Sequence, residues 1–381
     1  MVNVPEPARE LLSARLPAAV RDALGEPTAA LGTWDVVPLK GSLATLTSAR
    51  SVFRVRGTAR TGSTTRPWSL VLKVLAPTPS QDDPARADYW RREQALYGKD
   101  VLTALPAGLR APRCYRCDDL NGVVWLWLEP VHDSSERPWN LARWAGVARQ
   151  LGQFNGAYLA GWPLPQAPSL GGRRLRTWLE RHRPLVARIA AAPDNPAVRR
   201  WWPRSVVTGL LQLWEERNVF CDALERLPQT FCHGDAIPRN LLTRRATDGS
   251  AETVAIDWEY AGCYAAGEEI GQSLSVAAAF FDVEPADLPM LDETLLINYL
   301  QGLRDAGWRG NTLHVQFAYK AHAALRNAFN AVGTTVPNSA AQAAARHVYG
   351  RSWEELAERR AAVRPFLLEC AASARRCLQS L

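Results

Sequence analysis

A short stretch in the second half of the chain carries residues whose types and spacing suit phosphate chemistry. His233-Gly234-Asp235 is followed five residues after Asp235 by Asn240, and Asp257 comes seventeen residues after Asn240. Phosphoryl transfer from a magnesium–nucleotide complex needs one carboxylate that orients the acceptor hydroxyl and takes its proton. It also needs an amide and a second carboxylate that hold magnesium against the phosphates. Asp235, Asn240 and Asp257 supply that set of groups.

The residues around this set predict the elements that position it. Three short apolar runs surround a turn-like sequence at 247–250, namely Thr230–Cys232, Asn240–Leu242 and Thr253–Ile256. Such runs are typical of strands joined by a turn. We therefore expect a tight loop that carries Asp235 and Asn240, followed by a hairpin whose second strand brings Asp257 back beside Asn240. The alternative is a surface loop with ordinary polar residues. Average residue frequencies, however, give H-G-D-x-x-x-x-N in roughly one chain in a thousand of this length.

Two further polar residues stand out in the first part of the chain because each shares a run or face with apolar residues. Lys73 lies within the apolar strand pattern Trp68–Leu75, where a cation is costly unless it has a partner. Glu93 shares the apolar stripe of a helix that we predict from Asp83 to Tyr97, because Asp-Pro favours a helix start. We expect the two to pair, with Lys73 on the phosphates of a nucleotide. The alternative is two side chains that reach solvent over their apolar stems.

Together these features resemble the aminoglycoside phosphotransferase and choline kinase superfamily, whose members share the protein-kinase-like fold. The matching residues are His233-Gly234-Asp235 with Asn240, the run Ile256-Asp257-Trp258-Glu259-Tyr260-Ala261-Gly262, and Lys73 with Glu93. The order of elements matches from about residue 33 to residue 300. The resemblance implies that Asp235 is the catalytic base, that Asn240 and Asp257 bind Mg2+, and that Lys73 clamps the phosphates of ATP or GTP.

The segment expected to cover the phosphates departs from the protein-kinase pattern. Over residues 40–53 the sequence has a single glycine, so we place the phosphate loop at 41–51. The stretch after the magnesium aspartate lacks the Phe-Gly and Ala-Pro-Glu landmarks of protein kinases, which disfavours a peptide acceptor. Four further residues are expected to contact the nucleotide: Gly41 and Ser42 in this loop, and Glu129 and Val131 at a hinge whose backbone would bind the base.

The order of patterns along the chain predicts an α+β, bilobal protein-kinase-like fold. The N-terminal lobe, residues 1–130, should bind the nucleotide and contain a helical extension over 1–30. A five-stranded antiparallel sheet with one inserted helix should follow over 33–129. Residues 131–381 should form a mostly helical C-terminal lobe that holds the catalytic loop and the acceptor site.

One segment of this basic protein is strongly acidic. Residues 246–303 include no Lys, Arg or His but eleven acids. In kinases of this shape the region after the metal aspartate lines the acceptor side of the cleft. An acidic wall there would attract a cationic, hydroxylated acceptor such as an aminoglycoside, an amino sugar or choline. We take Glu259, Glu268 and Glu269 as candidate acceptor ligands. An acidic helix surface that balances arginines elsewhere is an alternative of equal weight.

Composition excludes several other classes of protein. The 381-residue chain is 47% hydrophobic and 22% charged, which is an ordinary globular composition. It has neither an apolar run long enough to span a membrane nor an N-terminal leader pattern. The formal charge of +7 is dispersed, so we expect no nucleic-acid partner. Seven scattered cysteines favour reduced thiols. We expect a cytoplasmic monomer or homodimer without membrane attachment.

A catalytically silent, nucleotide-binding regulatory protein of the same fold is the alternative to an ATP-dependent small-molecule kinase. Such a protein would be expected to have lost at least one of the three phosphate-chemistry residues. Asp235, Asn240 and Asp257 are all present, so the sequence favours the enzyme.

Overall fold

The structure, a computed structural model, describes residues 6–39, 50–171, 173–245, 249 and 251–381. Strands dominate the first third of the chain and helices the remainder, which confirms the predicted α+β fold with two lobes. The described part of the N-lobe contains two α-helices and five strands, in chain order α1 (Glu6–Leu24), β1 (Ala30–Pro38), β2 (Arg50–Thr61), β3 (Thr64–Leu75), α2 (Arg92–Gly98), β4 (Cys114–Leu120) and β5 (Val123–Leu128).

The five strands form one antiparallel sheet in the order β1-β2-β3-β5-β4. Within the central strand β3, Lys73 pairs with Val52 of β2 and Leu126 of β5. Successive side chains of a strand point to opposite faces. Leu72 and Val74 therefore pack in the cluster beneath α1, whereas Lys73 faces the cleft between the lobes. Because of this alternation, the ammonium group of Lys73 points from the centre of the sheet toward the C-terminal lobe.

Helix α1 covers the outer face of this sheet. Helix α1 contains Pro17 and continues through it. A proline inside a helix removes one backbone hydrogen bond, and here the apolar contacts on both sides of it offset that loss. The residues of α1 buried against the sheet are Leu12, Leu16, Ala19 and Val20.

The helix that carries Glu93 is shorter than the sequence predicted. It begins at Arg92 rather than at Asp83. Side-chain hydrogen bonds hold the preceding segment in turns instead: Asp83 accepts from a backbone amide two residues on at 2.9 Å, and Asp82 accepts from the Trp90 indole N–H at 2.7 Å. Short acidic side chains compete with helix formation in this way.

The C-lobe is mostly helical, as predicted. In the described residues it contains α3 (Leu141–Leu159), α4 (Arg174–Ala191), α5 (Arg204–Arg226), β6 (Gln229–Cys232), β7 (Leu241–Arg245), β8 (Ala251–Ala255), β9 (Gly262–Ala265), α6 (Glu268–Ala279), α7 (Leu288–Asp305), α8 (Thr312–Asn327), α9 (Ser339–Tyr349) and α10 (Trp353–Gln379). No helix in the described part of the chain combines the length and the apolar character needed to cross a membrane.

Two short sheets in the C-lobe position the polar residues singled out above. The predicted hairpin is present as β7 and β8, which pair in antiparallel register from Leu241 opposite Ala255. Strand β6, which leads into the catalytic-loop motif, pairs with β9 rather than with the hairpin. Trp258 follows β8 and is fully buried, with its ring stacked at 6.1 Å from that of Phe231. These aromatic contacts join the two sheets into one rigid base.

Candidate active site

The segment between β6 and β7 forms a tight loop whose shape depends on Gly234. The φ angle of Gly234 is +76°, a left-handed conformation that glycine adopts without steric cost. A Cβ atom at this position would lie 2.1 Å from the carbonyl oxygen of Tyr260, so a side chain has no room. The Gly234 amide donates a 3.0 Å hydrogen bond to the buried carboxylate of Glu269, which ties the loop to the start of α6.

His233 holds the same loop to the end of β8. Its Nε2 atom donates to the Ile256 carbonyl at 2.9 Å, and its Nδ1 atom accepts from the Asp235 amide at 3.2 Å. Together these bonds require a neutral imidazole with its proton on Nε2. Burial lowers the pKa of His233 to about 4, so the ring is neutral at physiological pH. His233 therefore positions Asp235 and does not exchange protons.

Asp235 is held by donors on both carboxylate oxygens. Its Oδ1 atom accepts from Arg174 Nη2 at 2.9 Å and from Gln272 Nε2 at 2.8 Å, and its Oδ2 atom accepts from Asn240 Nδ2 at 3.0 Å. Burial alone would raise the pKa of Asp235, but the Arg174 guanidinium outweighs it and holds that pKa below the usual value. Asp235 is thus an oriented carboxylate that can accept a hydrogen bond from a hydroxyl.

Asn240 and Asp257 come together through the hairpin backbone. The Ile256 amide donates to the Asn240 carbonyl at 2.9 Å, which brings the next residue, Asp257, to the same end of the hairpin. Asp257 has a φ angle of +67°, a left-handed conformation that is uncommon for any residue except glycine and that concentrates at functional sites. Because the Asn240 amide nitrogen is used by Asp235, its amide oxygen is the atom available to a cation.

An ion-pair cluster connects the two lobes across the cleft. Lys73 Nζ lies 2.6 Å from Asp257 Oδ1 and also contacts the carboxylate of Glu93. Lys73 and Glu93 are buried, at 7% and 1% exposure. Burial alone would lower the pKa of Lys73, but Asp257 and Glu93 raise it above the usual value. Burial would raise the pKa of Asp257, but Lys73 lowers it. The structure therefore brings the predicted Lys73–Glu93 pair together and adds Asp257 to it.

A cavity of about 570 Å³ opens beside this cluster, between the lobes. Lys73, Asp257, Asn240 and Asp235 line its polar end. Apolar side chains from both lobes line the rest, namely Leu39, Val52, Val71, Leu128, Leu242 and Ile256. A cavity of this volume with an apolar wall and convergent polar groups is typical of a cofactor or nucleotide site.

The predicted hinge residues Glu129 and Val131 also line this cavity. The Glu129 carboxylate, however, forms hydrogen bonds with Arg110 at 2.7 Å and with Arg244 at 3.1 Å. These bonds join the N-lobe edge to β7, so the side chain of Glu129 fixes the hinge and leaves ligand contacts to the backbone. The predicted contacts Gly41 and Ser42 lie outside the described residues.

A second, smaller cavity of about 190 Å³ lies on the other side of Asp235. Asp235 and Arg239 line both cavities, so the oriented carboxylate stands where the two meet. The smaller cavity is also lined by Arg174 and Arg326, and by aromatic residues that include Tyr260. It offers a place for a small molecule whose hydroxyl would reach Asp235.

The three acidic residues predicted as acceptor ligands do not line this second cavity. Glu259 lines the larger cavity instead. Glu268 and Glu269 are buried inside the C-lobe, where Glu268 accepts from the Ala265 amide at 2.9 Å and Glu269 from Gly234 and Asn155. Glu268 and Glu269 therefore have structural partners inside the C-lobe, and the acidic acceptor wall stays a prediction.

Sequence reasoning missed several residues that complete the site. Arg174, on α4, bonds Asp235 and lies 4.0 Å from the ring centroid of Tyr260. Gln272, on α6, is oriented by Arg326 of α8, whose Nε donates to the Gln272 carbonyl oxygen at 2.7 Å. That bond turns the amide nitrogen of Gln272 toward Asp235. These groups come from three helices far apart in the sequence and belong to no short motif, so no local signal identified them.

The donor set fits a magnesium ion that is shared with a nucleotide. No group of three or more His, Cys, Asp or Glu side chains able to hold a metal occurs in the part of the chain that the structure describes. Magnesium commonly uses one or two carboxylates together with substrate phosphates and waters. Asp257 and the amide oxygen of Asn240, at the polar end of the larger cavity, are oxygen donors of that kind.

The chain is similar to a family of known proteins. The sequence model described as "Phosphotransferase enzyme family" (APH) matches residues 47–310. Comparison with curated proteins gave no significant match. Similar solved structures include an amicoumacin kinase in complex with AMP-PNP and Ca2+, with 14% identity, coverage of 92% of this chain and 96% of that chain, and a TM-score of 0.46.

Two other similar structures are, by name, an ethanolamine kinase and an aminoglycoside phosphotransferase. An ethanolamine kinase from Plasmodium vivax is 11% identical, with coverage of 87% of this chain and 81% of that chain and a TM-score of 0.48. An aminoglycoside phosphotransferase from Alicyclobacillus acidocaldarius is 13% identical, with coverage of 94% and 96% and a TM-score of 0.47. Because the family model spans more than half of the sequence, the chain belongs to the APH phosphotransferase enzyme family and is a phosphotransferase.

Proposed function

We propose that this phosphotransferase moves the γ-phosphoryl group of magnesium-bound ATP onto a hydroxyl of a small molecule. The observation that carries the proposal is the place of Asp235. Its carboxylate stands between a nucleotide-sized cavity, which contains Lys73, Asn240 and Asp257, and a smaller cavity open to a second reactant. A carboxylate in this position can contact the hydroxyl of an acceptor in the smaller cavity while the nucleotide phosphates lie beside it in the larger one.

The nucleotide would lie in the larger cavity, between the N-lobe (residues 1–130) and the C-lobe (residues 131–381). Its base would lie against the apolar wall near the hinge, where Glu129 and Val131 offer backbone groups. Its phosphates would reach Lys73, whose ammonium is kept charged by Glu93 and Asp257. The predicted loop contacts Gly41 and Ser42 would cover the phosphates. The same geometry suits ATP and GTP, since the base contacts would be mostly backbone.

The chemical step needs few protein groups. Asp235 would accept the proton of the acceptor hydroxyl, the hydroxyl oxygen would attack the γ-phosphorus, and the bond from that phosphorus to the bridging oxygen would break as ADP leaves. Arg239, which lines both cavities, would offset negative charge on the group in transfer. Bound magnesium, held by Asn240 and Asp257, supplies charge neutralisation of the phosphates.

Within the second cavity, the sequence-based expectation of an amine-bearing acceptor remains a prediction. It rested on the acidic segment, whose candidate ligands Glu268 and Glu269 are used inside the C-lobe. The residues that line the cavity carry more positive than negative charge.

The test is a transfer screen with γ-labelled ATP and GTP, with magnesium and with EDTA, against a panel of hydroxylated small molecules. We expect labelled product from at least one acceptor only in the presence of magnesium. Nucleotide binding is measured in parallel by thermal shift. Binding without transfer to any acceptor would support the catalytically silent alternative, and absence of binding would contradict both assignments.

A further inference from the structure

The cavity beside Asp235 is lined by more positive than negative charge. Four guanidinium groups, those of Arg174, Arg181, Arg239 and Arg326, accompany two carboxylates, those of Asp88 and Asp235, among the described lining residues. Both carboxylates already have cationic partners. This surface disfavours a cationic ligand and attracts an anionic one.

The ion pairs show which cations are already satisfied. Asp88 pairs with Arg86 and with Arg181, and Asp235 pairs with Arg174. Within the described residues, no carboxylate forms an ion pair with Arg326 or with Arg239. Arg239 is exposed, with its guanidinium 4.9 Å from the ring centroid of Phe280. Arg326 is less exposed to solvent than Arg239, so its positive charge has the greater need of a negatively charged partner.

Two contacts with described residues hold Arg326, and neither uses a hydrogen bond from its terminal nitrogens. Its guanidinium lies 3.4 Å from the ring centroid of Trp178, and its Nε atom donates to Gln272 at 2.7 Å. Burial lowers the pKa of Arg326 to about 9, and the neighbouring charge of Arg174 adds to that effect. The negative charge of Asp235 opposes this decrease in pKa only in part, and a half-buried cation that forms no ion pair with a carboxylate is unfavourable. A fixed guanidinium fork, in turn, matches carboxylate and phosphate oxygens in bidentate geometry.

The triphosphate of the nucleotide does not account for this cation. Arg326 and Trp178 line the smaller cavity and are not among the residues that line the nucleotide-sized one, where Lys73 faces the phosphate end. Among the described residues, no acid of the segment 246–303 forms an ion pair with Arg326 either. Three of these acids pair with other cations: Asp292 with Lys320, Glu284 with Arg359, and Glu252 with Arg110 and Arg244.

From these contacts we infer that the acceptor is a small hydroxylated anion whose carboxylate or phosphate binds Arg326 while its hydroxyl faces Asp235. The inference rests on the proposed kinase function and names the substrate class of the same site. A cavity of about 190 Å³ is smaller than the roughly 300 Å³ at which sites for drug-sized ligands begin, which favours a single ring or a short chain over a multi-ring acceptor.

A matched ligand series tests the charge requirement. Glucuronate, glucose 6-phosphate, glucose and glucosamine share one ring and differ in charge. Each is titrated by calorimetry at fixed ionic strength with Mg·AMP-PNP present, so that the nucleotide cavity is already filled. We expect measurable binding of glucuronate, glucose 6-phosphate or both, and weaker binding of glucose and glucosamine. Binding of glucosamine or glucose that equals or exceeds that of both anions overturns the inference, as does no binding of either anion.

Variants at Arg326 locate the anion. Arg326→Gln should weaken anion binding roughly ten- to a hundredfold by removing the charge-assisted hydrogen bonds, and Arg326→Lys, which keeps charge but loses the fork, should be intermediate. Arg188→Gln is the matched control, because Arg188 lies on α4 and is exposed. Circular dichroism checks that each variant is folded, and Arg326→Lys provides the test if Arg326→Gln is not.

The nucleotide and anion titrations distinguish an error in the proposed kinase function from an error in the acceptor class. If Mg·AMP-PNP does not bind the wild-type protein, the proposed kinase function is wrong. If Mg·AMP-PNP binds but the affinity for the anions is equal in the wild type and Arg326→Gln, only the anionic-acceptor inference is wrong. Transfer assays with the same four ligands and γ-labelled ATP then show which of the two anionic groups the cavity prefers.

Discussion

Arg174 Nη2 lies 2.9 Å from Asp235 Oδ1. Arg174 belongs to α4 and Asp235 to the loop between β6 and β7, and 61 positions separate them in the sequence. The Arg174 guanidinium is itself stacked at 4.0 Å from the ring centroid of Tyr260. A fixed cation thus keeps the proposed catalytic base ionised inside the protein, where burial alone would favour the neutral acid.

This relationship predicts a change in the pH profile of Arg174→Gln. Activity needs the Asp235 carboxylate, so kcat/KM falls as the pH drops through the pKa of Asp235. In the wild type that pKa is below its usual value, and we expect a flat acid side from about pH 8 down to about pH 5. Without Arg174, the effect of burial is opposed less strongly, so the pKa of Asp235 rises and activity is lost at higher pH. If the profiles of kcat/KM against pH for Arg174→Gln and the wild type coincide at acid pH, the proposed role of Arg174 is wrong. Arg188→Gln serves as the control.

The buried pair Lys73–Glu93 predicts a second effect. In Glu93→Gln, Asp257 is the remaining anionic partner of Lys73 in the cluster. The ammonium of Lys73, which would bind the phosphates, is then drawn toward Asp257, which would bind magnesium. We expect a decrease in kcat of about tenfold or more together with a higher magnesium requirement. Steady-state kinetics over a magnesium titration measure both. Glu369→Gln, at an exposed position on α10, is the control and should leave both quantities unchanged. If Glu93→Gln has the kcat and the magnesium requirement of the wild type, Glu93 does not position Lys73 for the phosphates.

Gly234 gives a prediction about stability. Gly234→Ala places a Cβ atom 2.1 Å from the Tyr260 carbonyl oxygen at a φ angle of +76°, so we expect the free energy of unfolding to fall by about 3 kcal/mol or more. Gly62→Ala is a matched control, because Gly62 has a φ angle of +60° with nothing within 4 Å of the added carbon. It should cost about 1–2 kcal/mol. Equal denaturation midpoints for the two variants would show that the close approach to Tyr260 has no energetic consequence.

The sequence was sufficient for the parts of the site that depend on local spacing. Asp235 and Asn240 share one short loop, and a hairpin returns Asp257 to them, so their approach follows from turn chemistry and strand pairing. Lys73 could be predicted because a cation in a central strand needs partners. The start of α2 was misplaced because Asp82 and Asp83 form side-chain hydrogen bonds that helix rules do not weigh.

The acceptor side could not be predicted from local sequence. Its charge depends on which side chains three packed helices bring together, and the positions of Arg174, Gln272 and Arg326 relative to Asp235 are set by tertiary packing alone. The net charge of a segment does not show which of its carboxylates line a cavity. Glu268 and Glu269 hold β9 and the loop between β6 and β7 in place, and neither is among the residues that line the smaller cavity.

The most direct test of the central claim compares Asp235→Asn with the wild type in one experiment on the same protein samples. Phosphate transfer from γ-labelled ATP is measured with the best acceptor from the screen, and the affinity for Mg·AMP-PNP is measured by calorimetry. We predict that the variant binds the nucleotide within about threefold of the wild type, while transfer falls by roughly 10²–10⁴-fold. Transfer at the wild-type rate in Asp235→Asn would show that Asp235 is not the base and that the proposed mechanism is wrong.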